Sequence, residues 1–223
     1  MCPSGKFDGP VKPAKHISFS PARDAPLMKG LWGARVMRET KETDIELSMS
    51  LGGGHVSLDF KGLGFFGHML NALATYAGFS MDLTVKGDKH VDDHHTVEDV
   101  GLVLGEGLNL CLGDFDGHAR FGSALVPMDE ALAEAVVDLG RRPFLFFQVN
   151  WPQSVTGSFE LCLVEEFFRA FSQKAGMTLH LIGRHGHNSH HLCEALFKAT
   201  GLALGQATAP GNQKGPLSTK GIL

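Results

Sequence analysis

The stretch that decides the fold is DDHHTVED, Asp92 to Asp99. It sets two histidines among four carboxylates within eight residues. A second stretch, HHLCE, runs from His190 to Glu194 and repeats the spacing His-His-x-x-Glu. So much proton- and metal-seeking chemistry, written twice, asks to be read as a pair.

Working backwards from each pair exposes a longer correspondence. HMLNALATYAGFSMDLTV, from His68, aligns with EFFRAFSQKAGMTLHLIG, from Glu166. Ala77-Gly78 falls on Ala175-Gly176, and Met81 and Leu83 fall on Leu179 and Leu181. The loops leading to the His-His pairs differ by two residues in length. Farther on, GLVLGEGLNL (101–110) and ALFKATGLAL (195–204) share a pattern. Each copy reads helix, glycine, short strand, loop, His-His-x-x-Glu helix. Two unrelated amphipathic helices would not share that order, so the chain reads as an internal duplication.

Local patterning fills in the elements. Ile45, Leu47, Met49 and Leu51 alternate, Gly52-Gly53-Gly54 turn the chain, and Val56, Leu58 and Phe60 alternate again, which predicts a hairpin. Phe65 to Ala77 reads as a helix ended near Gly78, and Met81, Leu83 and Val85 as a strand. His94 to Leu110 reads as a helix with Asp92 and Asp93 at its positive end. In the second copy Phe121–Val126 and Phe144–Trp151 read as strands, Glu160–Ala175 as a helix, Met177–Ile182 as a strand and His190–Ala207 as a helix. Ala131–Leu139 is ambiguous: alanine favours helix, yet Ala135, Val137 and Leu139 alternate. The sum is an α+β fold of two duplicated halves, with helices on one face of each sheet. The expected organisation is a flexible extension over 1–31, half-repeats over 32–118 and 119–208, and a C-terminal tail over 209–223.

Bulk composition narrows the class. Of 223 residues, 43% are apolar and 20% charged, with a net charge of −4, so no basic footprint for nucleic acid appears. No apolar run is long enough to cross a membrane, and the first thirty residues lack a secretory hydrophobic segment. Cys2, Cys111, Cys162 and Cys193 form no C-x-x-C, which reads as reduced thiols of a cytoplasmic protein.

On a helix, residues i and i+4 share a face, while residue i+1 is turned by about 100°. His94 and Glu98 can therefore hold one ion while His95 points to another, and likewise His190 with Glu194 and His191. The duplication nominates His68 and Glu166, which align with each other, as further ligands. One expected site is His68, His95, His190 and Glu194; the other is Glu166, His191, His94 and Glu98. Exchanging the halves converts one set into the other. Four protein ligands leave about two positions open on an octahedral ion, and the mixed donor set suits Mn, Fe or Zn. Asp92, Asp93 and Asp99 are expected to orient the imidazoles from behind. A single His-His pair is more often a surface cluster; its duplication in register with Glu98 and Glu194 turns the reading to metal.

At these residues the chain resembles the imidazoleglycerol-phosphate dehydratase family. The resemblance runs from about Ala34 to the C-terminus. It rests on RETKETDI (Arg38 to Ile45), DDHHTVED, RFG (Arg120 to Gly122), PMDEAL (Pro127 to Leu132), the Asn188-x-His-His of HNSHHLCEALFK, and STKG (Ser218 to Gly221). It implies a duplicated fold like ribosomal protein S5 domain 2, two Mn2+ per chain, and an octahedral 24-subunit homo-oligomer with active sites shared between subunits. The implied reaction is a hydro-lyase step of histidine biosynthesis, imidazole glycerol phosphate to imidazole acetol phosphate. The substrate's imidazole, bridging two cations, would delocalise charge developing beside the ring. The resemblance maps acid–base work and substrate contact onto Glu42, and phosphate binding onto Arg120, Arg142, Lys198, Ser218, Thr219 and Lys220, with the tail covering the ligand. It departs from the family at Gly67, usually Asp, at Tyr76, usually His, and at Gly140-Arg141, usually Ser-Gly. Glu166 stands where relatives carry His or Glu. Two other readings remain on the sequence: a catalytically impaired homologue acting as a metal-assembled binding or structural oligomer, and a dinuclear hydrolase.

Overall fold

In the computed structural model of the chain, residues 16–17, 33–60, 62–87 and 92–211 are described. The first half runs β1 (His16–Ile17), β2 (Gly33–Glu39), β3 (Thr43–Gly53), β4 (Val56–Phe60), α1 (Gly64–Ala77), β5 (Phe79–Gly87) and α2 (His94–Leu112). The second runs β6 (Phe121–Met128), β7 (Ala131–Asp138), β8 (Phe144–Gln148), the short β9 (Val155–Thr156) and β10 (Phe159–Glu160), α3 (Leu163–Ala175), β11 (Thr178–His185) and α4 (Ser189–Thr208). Sheet order is β1-β2-β3-β5-β4 in the first half and β6-β7-β11-β8 in the second. Without β1, the two are one design used twice.

That order corrects the expected hairpin. β3 and β4 are not neighbours; β5 lies between them, antiparallel to β3 and parallel to β4. Alternation in β3 and β4 reported strands correctly but not their pairing. The chain from β4 returns through α1, a crossover that parallel strands require. The second half repeats this with β8, α3 and β11.

The ambiguous alanine segment is a strand, β7. Its inward positions, Ala131, Ala133, Ala135 and Val137, are fully buried. Small side chains are needed there because α4 lies directly on the sheet: a Cβ at Gly122 in β6 would stand 1.9 Å from the Ala203 carbonyl oxygen. β2 had no counterpart in the sequence reading. It pairs with β3 across its length, its alternation masked by Arg35 and Arg38. The expected helix from Glu160 begins only at Leu163, because Phe159 and Glu160 pair with β9. Of the extension expected over 1–31, only β1 lies among the described residues, added antiparallel to β2.

The helices bind the halves together. α1 and α2 cover the first sheet, α3 and α4 the second, and α1 packs on α4 while α2 packs on α3. Both helix pairs approach backbone to backbone. A Cβ at Gly105 in α2 would lie 2.6 Å from the Phe171 carbonyl oxygen; one at Gly201 in α4 would lie 2.4 Å from that of Leu73. Leu73 and Phe171 correspond in the duplication, as do Gly105 and Gly201, so the two contacts are one contact seen twice. The helix register is therefore set by these glycines, two residues away from the pattern match of 101–110 with 195–204. Gly78 and Gly176 end α1 and α3 in the left-handed conformation, with φ of 71° and 69°. Phe66, Phe159, Phe167 and Phe197 fill the middle, Phe66 stacked on Phe159 and Phe167 on Phe197.

Candidate metal and substrate site

Contacts along α1 and α4 advance together: Leu73 opposite Gly201, then Ala77 opposite Gly205. The two helices thus run parallel, and their N-terminal turns lie side by side. This brings His68 of α1 to His190 and Glu194 of α4. His68 Nε2 and His190 Nε2 each stand 3.4 Å from Glu194 Oε2. One ligand atom from each of the three residues lies within 4.8 Å of the others. The start of α4 is fixed by Asn188, whose side chain accepts the His190 backbone N–H at 2.9 Å. Phe65 packs edge-on against the His190 ring.

The carboxylate of this cluster is held in its ionised form. Burial pushes the Glu194 carboxyl up, but the Lys198 ammonium, 2.8 Å from its other oxygen, and His68 outweigh burial and hold it below its ordinary value. An ionised carboxylate and two imidazoles converging on one point suit a borderline divalent ion.

In the duplicate set, Glu98 on α2 feels the charges of His94 and of Glu166 on α3. Burial raises the Glu98 carboxyl; His94 opposes the shift, and the negative charges of Asp99 and Glu166 add to it. Glu166 also lies 3.7 Å from Arg169. Among the described residues, only the first set closes to three ligand atoms within 4.8 Å.

His95 and His191 do not join these groups. Each is turned away by its helix and meets a carboxylate instead. His95 Nδ1 lies 3.2 Å from Glu42, and His191 Nδ1 lies 2.7 Å from Glu130. Of the first expected set, His68, His190 and Glu194 lie together while His95 meets Glu42; of the second, Glu98 feels His94 and Glu166 while His191 meets Glu130. The hydrogen bond to His191, with the Asn188 and His187 backbone N–H groups, holds the Glu130 carboxyl at about 2. The bond to Glu130 raises His191.

The expected orienting role of Asp92 and Asp99 is corrected. Asp99 is buried and occupied by Arg38 at 2.8 Å and the Thr43 hydroxyl at 2.5 Å. Asp92 accepts the His94 backbone N–H, not a ring nitrogen, and Asp93 is the N-cap residue of α2. The carboxylates that meet Nδ1 of these imidazoles are Glu42 and Glu130, while the exposed Asp129 stands 3.7 Å from His191 Nε2. Glu130 lay unremarked within PMDEAL; the duplication was the signal that could have found it.

The residues assigned to phosphate separate into two places. Lys198 sits beside Glu194, with Tyr76 over its ammonium at 5.5 Å. Arg120 is held bidentate by Asp138 at 2.7 and 3.1 Å, and Arg142 reaches the same carboxylate at 3.4 Å. Arg120 lies at the far end of α4, its N–H on the Ala207 carbonyl. At the helical rise, that is roughly 25 Å from His190. Ser218, Thr219 and Lys220 lie outside the described residues.

A duplicated α+β chain that gathers imidazoles and carboxylates at the seam of its two copies defines a narrow class, and comparison with known proteins places that class among the hydro-lyases. Residues 61–204 match the family model of imidazoleglycerol-phosphate dehydratase. The imidazoleglycerol-phosphate dehydratase of Gluconobacter oxydans is 49% identical over 193 residues, covering 85% of this chain and 97% of that protein. That of Acetivibrio thermocellus is 48% identical, covering 84% and 97%. Among solved structures, the Staphylococcus aureus enzyme superposes with a TM-score of 0.71 at 36% identity, covering 80% of this chain and 99% of that one. The Pyrococcus furiosus enzyme gives 0.74 at 36% identity, covering 84% and 100%. The chain belongs to the imidazoleglycerol-phosphate dehydratase family.

Proposed function

We propose that this chain dehydrates imidazole glycerol phosphate to imidazole acetol phosphate in histidine biosynthesis, using two Mn2+ per chain within a 24-subunit cytoplasmic homo-oligomer. The observation that supports it most is the seam cluster of His68, His190 and Glu194, with its ligand atoms within 4.8 Å and its carboxylate ionised. When bound, paired cations supply Lewis acidity toward the substrate's ring and hydroxyl groups. His68, His190 and Glu194 would hold one, and Glu166, His94 and Glu98 the other.

The chain's own groups do the rest. Glu42 is the acid–base residue: it is half exposed, and its carboxylate pairs with no charged side chain other than His95 among the described residues. It takes the proton from the second carbon from the ring, the hydroxyl on the carbon beside the ring leaves and is protonated to water, and the enol that remains becomes the ketone at that second carbon. Lys198 holds Glu194 ionised while its ammonium stays near the cluster. Arg120 and Arg142, with Ser218, Thr219 and Lys220 of the tail, grip the phosphate.

Separation within the chain argues for a shared site. A substrate of this size cannot span roughly 25 Å from the cluster to Arg120 of one protomer. Phosphate ligands from one copy would serve the cluster of another, and His95 and His191 would complete a neighbour's sites. Gly67 leaves the metal cluster closed, since His68 beside it still reaches Glu194.

Incubating the protein with imidazole glycerol phosphate and Mn2+, and following ketone formation, tests the activity. Mass spectrometric metal analysis tests the stoichiometry; fewer than two equivalents per chain in replete protein defeats the dinuclear assignment.

A further inference from the structure

Glu130 has a counterpart. In the first sheet Ile45 pairs with Val85; in the second Ala133 pairs with Gly183. Val85 and Gly183 correspond in the duplication, so Ile45 corresponds to Ala133. Counting back along both chains sets Glu42 on Glu130. The same exchange sets His95 on His191. The Glu42–His95 and Glu130–His191 pairs are thus one arrangement written twice, at the mouths of the loops before β3 and β7.

The two copies have since diverged. Glu130 is fastened: its Oε1 accepts the backbone N–H groups of His187 and Asn188 at 3.0 and 2.8 Å, while Oε2 meets His191 Nδ1 at 2.7 Å. Glu42 meets no backbone N–H through its carboxylate among the described residues, and its contact with His95 is longer, 3.2 Å. Its side chain is 53% exposed, that of Glu130 34%.

We infer that Glu130 is the positioning residue for His191: its carboxylate, anchored to the loop before α4 at one oxygen, holds Nδ1 of the imidazole with the other and presents Nε2 as the ligand atom. This rests on the metal-binding reading above. A carboxylate at Nδ1 fixes the tautomer and the ring plane, which is what a ligating histidine needs from its surroundings. Three hydrogen bonds leave Glu130 no freedom to shuttle protons. Duplication has divided the labour: Glu42 stays loose enough to act on substrate, and Glu130 is frozen behind a ligand.

The test is Mn2+ titration of the metal-stripped full chain by calorimetry, for wild type, Glu130→Gln, His191→Ala and the double variant. Glutamine keeps an oxygen for the two backbone N–H groups, but its amide donates to Nδ1 and drives the ring proton onto Nε2. Glu130→Gln is expected to weaken one class of Mn2+ site about 10–100-fold and spare the other. In the His191→Ala background the same change is expected to do nothing more. Unchanged affinity, equal weakening of both classes, or an undiminished loss without His191 each overturns the assignment. A wild-type chain that takes up no Mn2+ overturns the metal reading itself, a separate result. If Glu130→Gln fails to assemble, Glu130→Asp gives the same readings, because its shorter arm keeps the charge yet cannot span both amides and His191.

Discussion

His68 and Glu194 belong to different copies of the duplicated unit, yet their side chains stand 3.4 Å apart. The link between them is the parallel packing of α1 on α4, in which Gly201 admits the Leu73 carbonyl where a Cβ would come within 2.4 Å. A glycine three turns down the helix thereby sets the geometry of the cluster. Gly201→Ala is expected to destabilise the chain by about 1–3 kcal/mol, as overpacking does. For a chain of this size that is about 2–4 °C in Tm per kcal/mol. Gly105→Ala, its duplicate against Phe171, should cost a similar amount. Thermal unfolding of the two variants checks this; a neutral Gly201→Ala would show that the helices can part without cost.

Replacing Glu42 by Gln should lower kcat by about 10²–10⁴, the usual worth of a placed acid–base group. Metal content should be unchanged, because Glu42 is not among the proposed ligands. Steady-state kinetics beside mass spectrometric metal analysis separates the two. Near-normal turnover removes Glu42 from the reaction; lost metal makes it a support for His95 instead.

Much of this is legible in the sequence. The spans of α1, α2 and α4 are, because apolar period and Gly78 mark them, and so is the duplication. What the sequence hid was pairing. Alternation in β3 and β4 says that each is a strand with one buried face; it does not say that β5 comes between them. Ala131–Asp138 hid for another reason: the small residues demanded by α4 overlie the strand pattern with a helical composition. At the site, the His-His-x-x-Glu spacing foretells that adjacent imidazoles diverge. It does not say where the diverted rings go. Asp92 and Asp99 looked placed to orient them by proximity in sequence, but proximity along a helix start serves the backbone, and Asp99 is taken by Arg38 and Thr43.

Glu98 yields a pH prediction. Its folded carboxyl is raised above the ordinary 4.5, chiefly by burial. Between 4.5 and the folded value, the native chain binds more protons than the unfolded one, so stability falls as pH rises through that window. Above it, the metal-free chain carries the full penalty of an ionised, half-buried carboxylate. Metal-free Glu98→Gln should therefore be more stable than wild type at neutral pH, and no more stable below 4.5. Its affinity for Mn2+ should drop at the same time. Unfolding midpoints across pH, measured in chelator, decide it; a variant less stable at neutral pH would contradict the assigned burial.

The expected role of the C-terminal tail carries its own test. Deleting Ser218 to Leu223 should raise KM at least tenfold, with a smaller change in Mn2+ affinity, if the tail grips phosphate rather than metal. Kinetics at saturating Mn2+ reads this directly, and an unchanged KM excludes the tail from substrate binding.

The distance between Arg120 and His190 gives the strongest test of a site built from several copies. If one protomer supplied a whole site, a phosphate held near Arg120 would lie roughly 20 Å along α4 from Glu194, too far for the same substrate's imidazole to reach the cluster. Arg142→Ala and His190→Ala should each abolish most activity alone, the first through substrate grip and the second through the cluster. Within one mixed oligomer, some sites would combine an intact arginine from one variant with an intact cluster from the other. Co-refolding the two at equal ratio should therefore recover a substantial fraction of wild-type turnover, rising with the extent of subunit exchange. A mixture that stays as inactive as its components, although mass spectrometry shows both chains in one particle, would place arginine and cluster in the same protomer and require a fold in which α4 does not hold them apart.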